Sequence, residues 1–360
     1  MKGVQNQNQQ SSAGSSTGRP PLVSILIANF NGANLLPDLL KSLEALSYRE
    51  HEVVVIDNGS TDDSLKILEK YPWVKIVRSE RNLGFAGGNN LGLTACSGDL
   101  ILLLNNDTVV SPDFLQPLCT YLEQHPSVGI VQGKMLLPRF GGTLDVCGSF
   151  FTGFGLPYHY GYYKPDGPKY QRSYPVFSAK GACLMFRRQV LVEAGGFLFD
   201  DEFFCFYEES DFCHRAWLAG WEVHFVDSPP IQHLQGGTSR NEDAAFPLRY
   251  YLRNMGFSLM ANLSFWSRVR ILPLFFAMLS AGMLASALVR DGGQFKARVQ
   301  AFVYCIANYG RIRARRRLIS SFRKQSDSEI FRKVLRTPRF EYFLKTFSGK
   351  LRDYVDDQLP

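Results

Sequence analysis

Residues 100–104 are five consecutive apolar side chains that stop at Asn105-Asn106-Asp107. Residues 53–56 behave alike, stopping at Asp57-Asn58-Gly59-Ser60, and residues 23–28 and 74–77 are further short apolar runs. Uninterrupted runs of this length predict strands buried on both faces. Between them the period lengthens. Leu35, Leu36, Leu39, Leu40 and Leu43 recur at helical spacing over residues 34–46, and a short helix with acidic residues in its first turn is predicted over 62–70. Residues 82–96 carry Gly84, Gly87, Gly88 and Gly92 and then a short helix. Strands alternating with helices predict an α/β fold with a doubly wound, mostly parallel sheet. Right-handed crossovers place the strand ends on one edge, where such sheets bind polar ligands.

The pattern changes after residue 138. Residues 140–175 are dense in Gly, Tyr, Phe and Pro without a period, which predicts a long loop region over the site that carries acceptor contacts. Apolar residues return at 181–186, a helix is predicted over 208–218, and a strand over 221–226 ends before Pro229-Pro230. Residues 271–289 are uncharged, flanked by Arg268, Arg270 and Arg290, and just reach the length of a membrane span. Pro273, Ser280, Gly282 and Ser286 dilute that stretch, so a buried or interfacial helix fits it as well. Residues 1–20 are polar and lack the apolar segment of a signal peptide, which predicts a disordered tail. The expected division is a tail over 1–20, a catalytic domain over 21–257, a membrane-associated helical region over 258–324 and a basic tail over 325–360.

Hydrophobic residues at 45% and aromatic ones at 13% suffice for a sizeable core. The net charge of +7 divides unevenly: residues 290–360 hold 17 Lys/Arg against 7 Asp/Glu. The basic cluster Arg311, Arg313, Arg315, Arg316, Arg317, Arg323 and Lys324 suits the cytoplasmic face of a membrane, with the protein peripheral or crossing once. It comes without a base-stacking motif, so no nucleic acid is expected as a partner. Seven scattered cysteines, none in a CxxC pair, disfavour a disulfide framework and fit a reducing compartment.

Asp107 suits a divalent metal on a nucleotide phosphate, although a strand-ending turn or helix N-cap explains Asn105–Asp107 as well. The glycine-rich stretch allows a ligand close to backbone but lacks the GKS or GKT of a Walker loop. Glu208, Glu209 and Asp211 place three acids in four residues beside Phe203, Phe204 and Phe206. Clustered carboxylates raise one another's pKa, which suits a general base near neutral pH.

Taken together, Ser24–Asn31, Val55–Asp62, Arg81–Asn90 and Leu104–Asp107 resemble the inverting family 2 glycosyltransferases of GT-A fold, in particular bacterial rhamnosyltransferase-type enzymes of surface polysaccharide assembly. The resemblance covers about residues 22–255. It implies a nucleoside-diphosphate sugar donor, an acceptor that is a glycan or lipid-linked, and Mg²⁺ or Mn²⁺ as cofactor. It implies donor contacts from Asn29, Asn31, Asp57, Asn58, Asn82, Gly84, Asn89, Asn106 and Arg253, with Asp57 on the base. Metal ligation falls to Asp107 and His233, with Gly236, Gly237, Thr238 and Ser239 near phosphate. Glu209 becomes the base that deprotonates the acceptor, with Glu208 and Asp211 as supports or rivals. Asn105 stands where the usual DxD pattern has its first Asp. That departure supports the alternative of a nucleotide-sugar-binding protein of the same fold without turnover.

Overall fold

The computed structural model describes residues 19–235, 245–347 and 351–355. Nearly all of the expected tail, and Gly236, Gly237, Thr238 and Ser239, lie outside the described residues. The chain begins β1 (Val23–Asn29), α1 (Leu36–Glu44), β2 (His51–Asn58), α2 (Ser64–Leu68), β3 (Val74–Ser79), α3 (Gly84–Leu93), β4 (Leu100–Leu104), β5 (Thr108–Val109) and α4 (Leu115–Gln124). It continues β6 (Val128–Gln132), β7 (Met135–Leu137), β8 (Thr143–Leu144), β9 (Ser149–Phe150), β10 (Tyr158–His159), β11 (Tyr174–Pro175), β12 (Cys183–Arg187), α5 (Arg188–Glu193), α6 (Glu208–Leu218), β13 (Glu222–Phe225) and β14 (Ile231–His233). Six helices close it: α7 (Phe246–Asn262), α8 (Phe265–Leu288), α9 (Gly292–Ala307), α10 (Tyr309–Phe322), α11 (Asp327–Val334) and α12 (Phe340–Phe347).

The main sheet has eight strands in the order β11-β13-β6-β12-β4-β1-β2-β3. β1 pairs in parallel with β2 and β4, and β2 with β3, as the alternating pattern predicts. β12 runs antiparallel between β4 and β6, so the sheet is mixed. Successive side chains of a strand point to opposite faces, and the core divides accordingly. Ile25, Ile27, Val53, Val55, Leu102 and Leu104 face α1 and α4, whereas Leu26, Val54, Ile101 and Leu103 face the layer that includes α6. Helix α1 buries Leu36, Leu39, Leu40 and Leu43 and starts with Pro37 in its first turn. Each of those leucines contributes about 1.5–3 kcal/mol on burial.

A second sheet, in the order β5-β14-β7-β8, sits at the carboxyl edge of the first. β14 pairs antiparallel with β5, with His233 opposite Thr108, which brings His233 beside Asp107.

Residues 140–175 are mostly irregular, as expected, but none of them lines the cavity at the carboxyl ends of β1, β2 and β4. Phe150, Tyr158, Tyr160, Tyr170 and Tyr174 are buried, and Tyr158 meets Tyr342 edge-on at 4.8 Å between ring centroids. Aromatic side chains of this size gain more from packing on one another and on the chain's end than from lining an open cleft.

The C-terminal helices share one apolar core with the sheet: Leu259, Ile271, Phe275, Ile312, Ile319, Ile330 and Val334 cluster with Leu103 and Phe186. Helix α7 runs through residues 257 and 258 without a break. Much of the basic cluster turns inward, away from the role expected of it. Arg311 pairs with Asp200 at 2.8 Å, Arg315 with Asp200 at 2.6 Å, and Arg323 with Asp327 at 2.8 Å, while Arg316 donates to the Met260 carbonyl at 2.7 Å. Among the described residues Arg313, Arg317 and Lys324 stay exposed, Lys324 paired with Glu193 at 2.8 Å.

Candidate active site

The carboxyl ends of β1, β2 and β4 meet at one edge and open onto a cavity of about 350 Å³. Asn29, Asn58, Asn82, Gly84, Asn106, Asp107, Glu208, Glu209 and His233 line it, so the structure gathers residues spread over two hundred positions. That volume suits a drug-sized ligand.

One wall is a ladder of amides. Asn58 donates to the Gly84 carbonyl at 2.9 Å and to Asn82 at 3.2 Å, and accepts from the Leu83 N–H at 3.0 Å. Asn106 donates to the Asn29 side-chain oxygen at 2.9 Å. These bonds hold the glycine-rich turn against the ends of β1, β2 and β4. Gly84 has φ +72°, and a Cβ there would sit 2.3 Å from the Phe204 carbonyl oxygen. Only glycine tolerates both that backbone and that approach. The Ala86 N–H donates to the same carbonyl at 2.9 Å, which ties the glycine turn to the loop before α6.

At the floor, Asp107 and His233 face each other, with His233 Nε2 at 3.3 Å from Asp107 Oδ1. On the far side of the ring, His233 Nδ1 lies 2.7 Å from Asp145 Oδ2. Asp145 is fully buried and also accepts from the Lys180 ammonium at 2.6 and 2.8 Å. Burial acts to raise the Asp145 carboxyl, but Lys180 and His233 outweigh it and hold it well below the usual carboxylate range. Burial acts to lower the His233 imidazole, but Asp107 and Asp145 on its two sides hold it above its ordinary value, so without a metal Nε2 faces Asp107 as a donor; a cation between them would displace that proton, with Asp145 keeping the one on Nδ1. Among the described residues no third acidic, Cys or His side chain joins this pair as a metal ligand, so a divalent cation held by Asp107 and His233 would need its remaining ligands from a bound diphosphate and water.

Lys180, Gly181 and Ala182 also line the cavity. They arrive because β12 is antiparallel: its first residue, Cys183, pairs with Leu104, and the Asn105 N–H donates to the Ala182 carbonyl at 3.2 Å. The sequence pattern gave no sign of Asp145 or Lys180, since neither belongs to a motif and their partners are distant in the chain.

Another part of the lining is acidic and aromatic. Burial, and then the neighbouring Glu209, push the Glu208 carboxyl well above its ordinary value. Burial raises Glu209 too, opposed by its own backbone N–H and by Lys180. One oxygen of each, Oε2, is buried without a hydrogen-bond partner among the described residues. Of this close pair, Glu209 is the one that ionises first, and a base must be ionised. Phe85, Phe204, Phe206 and Phe246 complete the wall. Phe204, Phe206 and Tyr207 adopt φ of +60°, +66° and +72° in succession around this turn. Such backbone costs about 1–3 kcal/mol per residue and persists only when its surroundings hold it. Asn254 does so by donating to the carbonyls of Phe203, Cys205 and Phe206 at 2.9, 3.0 and 2.7 Å.

Five expected site residues do not line the cavity. Asp211 is buried in a structural network, accepting from Arg215 at 3.0 Å, Ser258 at 2.8 Å and Asn262 at 3.0 Å, so it is not a rival base. Arg253 donates to the Glu202 carbonyl and lies over the rings of Tyr250 and Tyr304, which draws it away from any diphosphate. Asn89 donates to the Phe85 carbonyl at 2.8 Å inside α3. Asn31 accepts from the Thr61 N–H at 2.8 Å and holds the turn after β2. Asp57 ends β2 with its Oδ1 buried and unpartnered among the described residues.

Comparison with known proteins places this geometry. Residues 24–193 match the family described as Glycosyl transferase family 2. O-antigen biosynthesis protein RfbC of Myxococcus xanthus is 32% identical over 245 residues, 64% of this chain and 19% of that protein. The low-salt glycan biosynthesis hexosyltransferase Agl10 of Haloferax volcanii is 28% identical over 203 residues, 54% of this chain and 61% of that one. The chain thus spans from about a fifth to three fifths of these relatives' length. Among solved structures, residues 1–349 of S. aureus TarS superpose with a TM-score of 0.54 at 17% identity, covering 84% of this chain and 89% of that one. GalNAc-T7, solved with UDP, GalNAc and Mn²⁺, gives a TM-score of 0.60 at 15% identity over 91% of this chain and 58% of that one. These likenesses establish the GT-A fold.

Proposed function

We propose that this chain, whose residues 24–193 form a family 2 glycosyltransferase domain, moves a sugar from a nucleoside-diphosphate donor to a glycan or lipid-linked acceptor with inversion. The observation that carries the reading is one cavity lined both by Asp107 and His233 and by the raised pair Glu208 and Glu209. The former suit a leaving diphosphate; the latter suit an acceptor hydroxyl.

In this reading the donor base lies toward the ends of β1 and β2, near Asp57, which stands behind the cavity lining and whose buried Oδ1 has no hydrogen-bond partner among the described residues. The glycine turn at Gly84 and the amides of Asn58 and Asn106 shape the nucleoside side of the cleft. Asp107 and His233 would hold a divalent cation, Mg²⁺ or Mn²⁺, which would supply positive charge to the departing diphosphate. Lys180 adds a fixed positive charge from the adjacent wall. Glu209 takes the proton from the acceptor hydroxyl as its oxygen attacks the anomeric carbon. The bond between that carbon and the diphosphate oxygen breaks on the opposite face. Glu208, held protonated, keeps a second negative charge away from the attacking oxygen.

L-rhamnose is the sugar that the sequence resemblance favours, and the RfbC and Agl10 relatives favour polysaccharide or glycan assembly at the cell surface. The working place is the cytoplasmic face of a membrane, where nucleotide sugars and lipid-linked acceptors meet. A donor screen tests the whole proposal. Purified protein is incubated with dTDP-rhamnose and with UDP-, GDP- and other dTDP-sugars, each with Mn²⁺, Mg²⁺ or EDTA. Metal-dependent release of the nucleotide from one donor, with a product of inverted anomeric configuration, supports it. Binding of a donor with neither transfer nor hydrolysis marks a binder without turnover and overturns it.

A further inference from the structure

We propose that the outward face of α8 and α9 is a docking surface for an anionic lipid leaflet, and that α8 lies along that leaflet instead of crossing it. The inference deepens the membrane placement proposed above and rests on it.

Helix α8 is apolar enough to span a bilayer, yet only 22% of its most apolar window is buried. One stripe faces inward through Ile271, Phe275, Leu279 and Ser286. The remaining surface exposes Trp266, Val269, Leu274, Leu284 and Leu288, with Trp266 78% exposed and Leu288 75%. Helix α9 continues the apolar face with Phe302, Val303 and Ile306. Soluble monomers rarely leave so many large apolar side chains exposed together.

Charge selects the occupant. Residues 265–308 hold Arg268, Arg270, Arg290, Lys296 and Arg298 but a single acid, Asp291, whose carboxylate caps α9 by accepting from the Gln294 N–H at 2.9 Å. Arg270, Arg290 and Lys296 are exposed near the ends of the two helices. Apolar side chains bordered by cations, with aromatic residues at one end, match the boundary of a negatively charged leaflet. A second copy would bring the same cations against themselves.

Packing selects the orientation. Phe275 reaches Gly256 of α7, where a Cβ would sit 3.4 Å from its ring. Arg298 of α9 passes over Gly282 and donates to Ser286 Oγ at 3.0 Å and to the Gln294 carbonyl at 3.1 Å. The inner stripe of α8 is thus joined along its length to α7 and to a helix that carries Gln294, Lys296 and Arg298. Crossing the bilayer would either break those contacts or draw Arg298 into hydrocarbon, at a cost of about 2.5–3.5 kcal/mol or more. Lying flat keeps every one of them and still buries the exposed face. Helix α7 starts at the cavity, where Phe246 lines it, and packs against α8 at Gly256, so docking there ties the site to the leaflet through one helix.

Cosedimentation of the full chain with phosphatidylcholine vesicles, with and without phosphatidylglycerol, tests the proposal. The chain should bind only the vesicles that contain phosphatidylglycerol, and salt should weaken the binding. In the double variant Trp266→Glu, Leu284→Glu the partition should fall by about tenfold or more. The variant Arg270→Glu, Arg290→Glu leaves the apolar face intact and should lose the preference for phosphatidylglycerol. Alkaline carbonate should release the wild-type chain from cell membranes. Unchanged binding by either variant overturns the docking surface, retention after carbonate overturns the flat orientation, and a Trp266-dependent dimer without lipid binding makes a second copy the occupant. Donor hydrolysis, followed in the same samples, is expected to be unchanged in both variants. Its absence from the wild-type chain would count against the catalytic reading alone.

Discussion

Asp145 Oδ2 sits 2.7 Å from His233 Nδ1 while Asp145 Oδ1 sits 2.6 Å from the Lys180 ammonium, so one buried carboxylate orients two cavity-lining cations or ligands at once. Replacing Asp145 with Asn weakens both partners without emptying the space. Metal affinity, read from activity against free Mn²⁺ or Mg²⁺, should drop about 10–100-fold, as is typical of a lost partner behind a metal-bound His. Unchanged metal dependence would remove Asp145 from the site.

Asp107 is the carboxylate at the floor of the cavity. Asp107→Asn should abolish transfer while leaving the melting temperature within a few degrees of the wild type. A variant that is equally dead in saturating metal and with every donor, yet folded by circular dichroism, has lost the chemistry and not the fold.

Glu209→Gln should bind donor normally and lose about 10²–10⁴-fold in kcat, the usual contribution of a general base. Glu208→Gln should cost much less. It should also stabilise the fold. A carboxyl whose folded pKa lies above its unfolded one loses stability as pH rises past the unfolded value, so the carboxamide gains at neutral pH, by about 0.5–2 kcal/mol, and gains nothing below about pH 4. The acid limb of kcat/KM should lie above the ordinary carboxylate range because Glu209 is raised by burial. If Glu208→Gln is the inactive variant, the base has been misassigned.

Asp211 holds Arg215 and Arg315 in the interior. Burial pushes its carboxyl up, and the two guanidinium groups and Ser258 overcome that and lower it. Its contribution to stability is therefore present above the unfolded carboxyl pKa of about 3.9 and is lost as pH falls through the depressed folded value. Asp211→Ala leaves both arginines without that carboxylate and should cost about 3–5 kcal/mol by chemical denaturation. A loss of activity without a loss of stability would restore Asp211 to the chemistry.

Gly84→Ala forces a Cβ against the Phe204 carbonyl, which is backbone and cannot swing aside. The junction between the glycine turn and the acidic loop should open, with a stability loss of about 1–3 kcal/mol and a higher KM for donor. Gly141→Ala meets nothing within 4 Å and shares the positive φ, so it reports the backbone strain alone.

Much of the site was legible in the chain because its chemistry is local. A run such as Leu100–Leu104 must be a buried strand, and a polar residue that ends it must emerge at the sheet edge, so Asp107, Asn58 and Asn29 could be placed without a structure. Glu208 and Glu209 were legible as an unusual density of acids in the first turn of a helix beside phenylalanines; adjacent helical positions diverge, so that both reach the cavity is decided by the turn that precedes them. Residues 140–175 misled because glycine and aromatic density looks alike in an open loop and in a compact aromatic core.

What the sequence by itself determined was the strand ends, the acidic pair and the four ordered motifs. The tertiary structure decided which of the polar residues meet. Asp145 and His233 are 88 residues apart, Arg315 and Asp200 are 115 apart, and no periodicity records such pairs. The antiparallel insertion of β12, which delivers Lys180, and the inward turn of the basic cluster are likewise set by packing. Burial in a low-dielectric interior makes an unpaired charge costly, and only the folded chain can supply the distant partner that removes that cost.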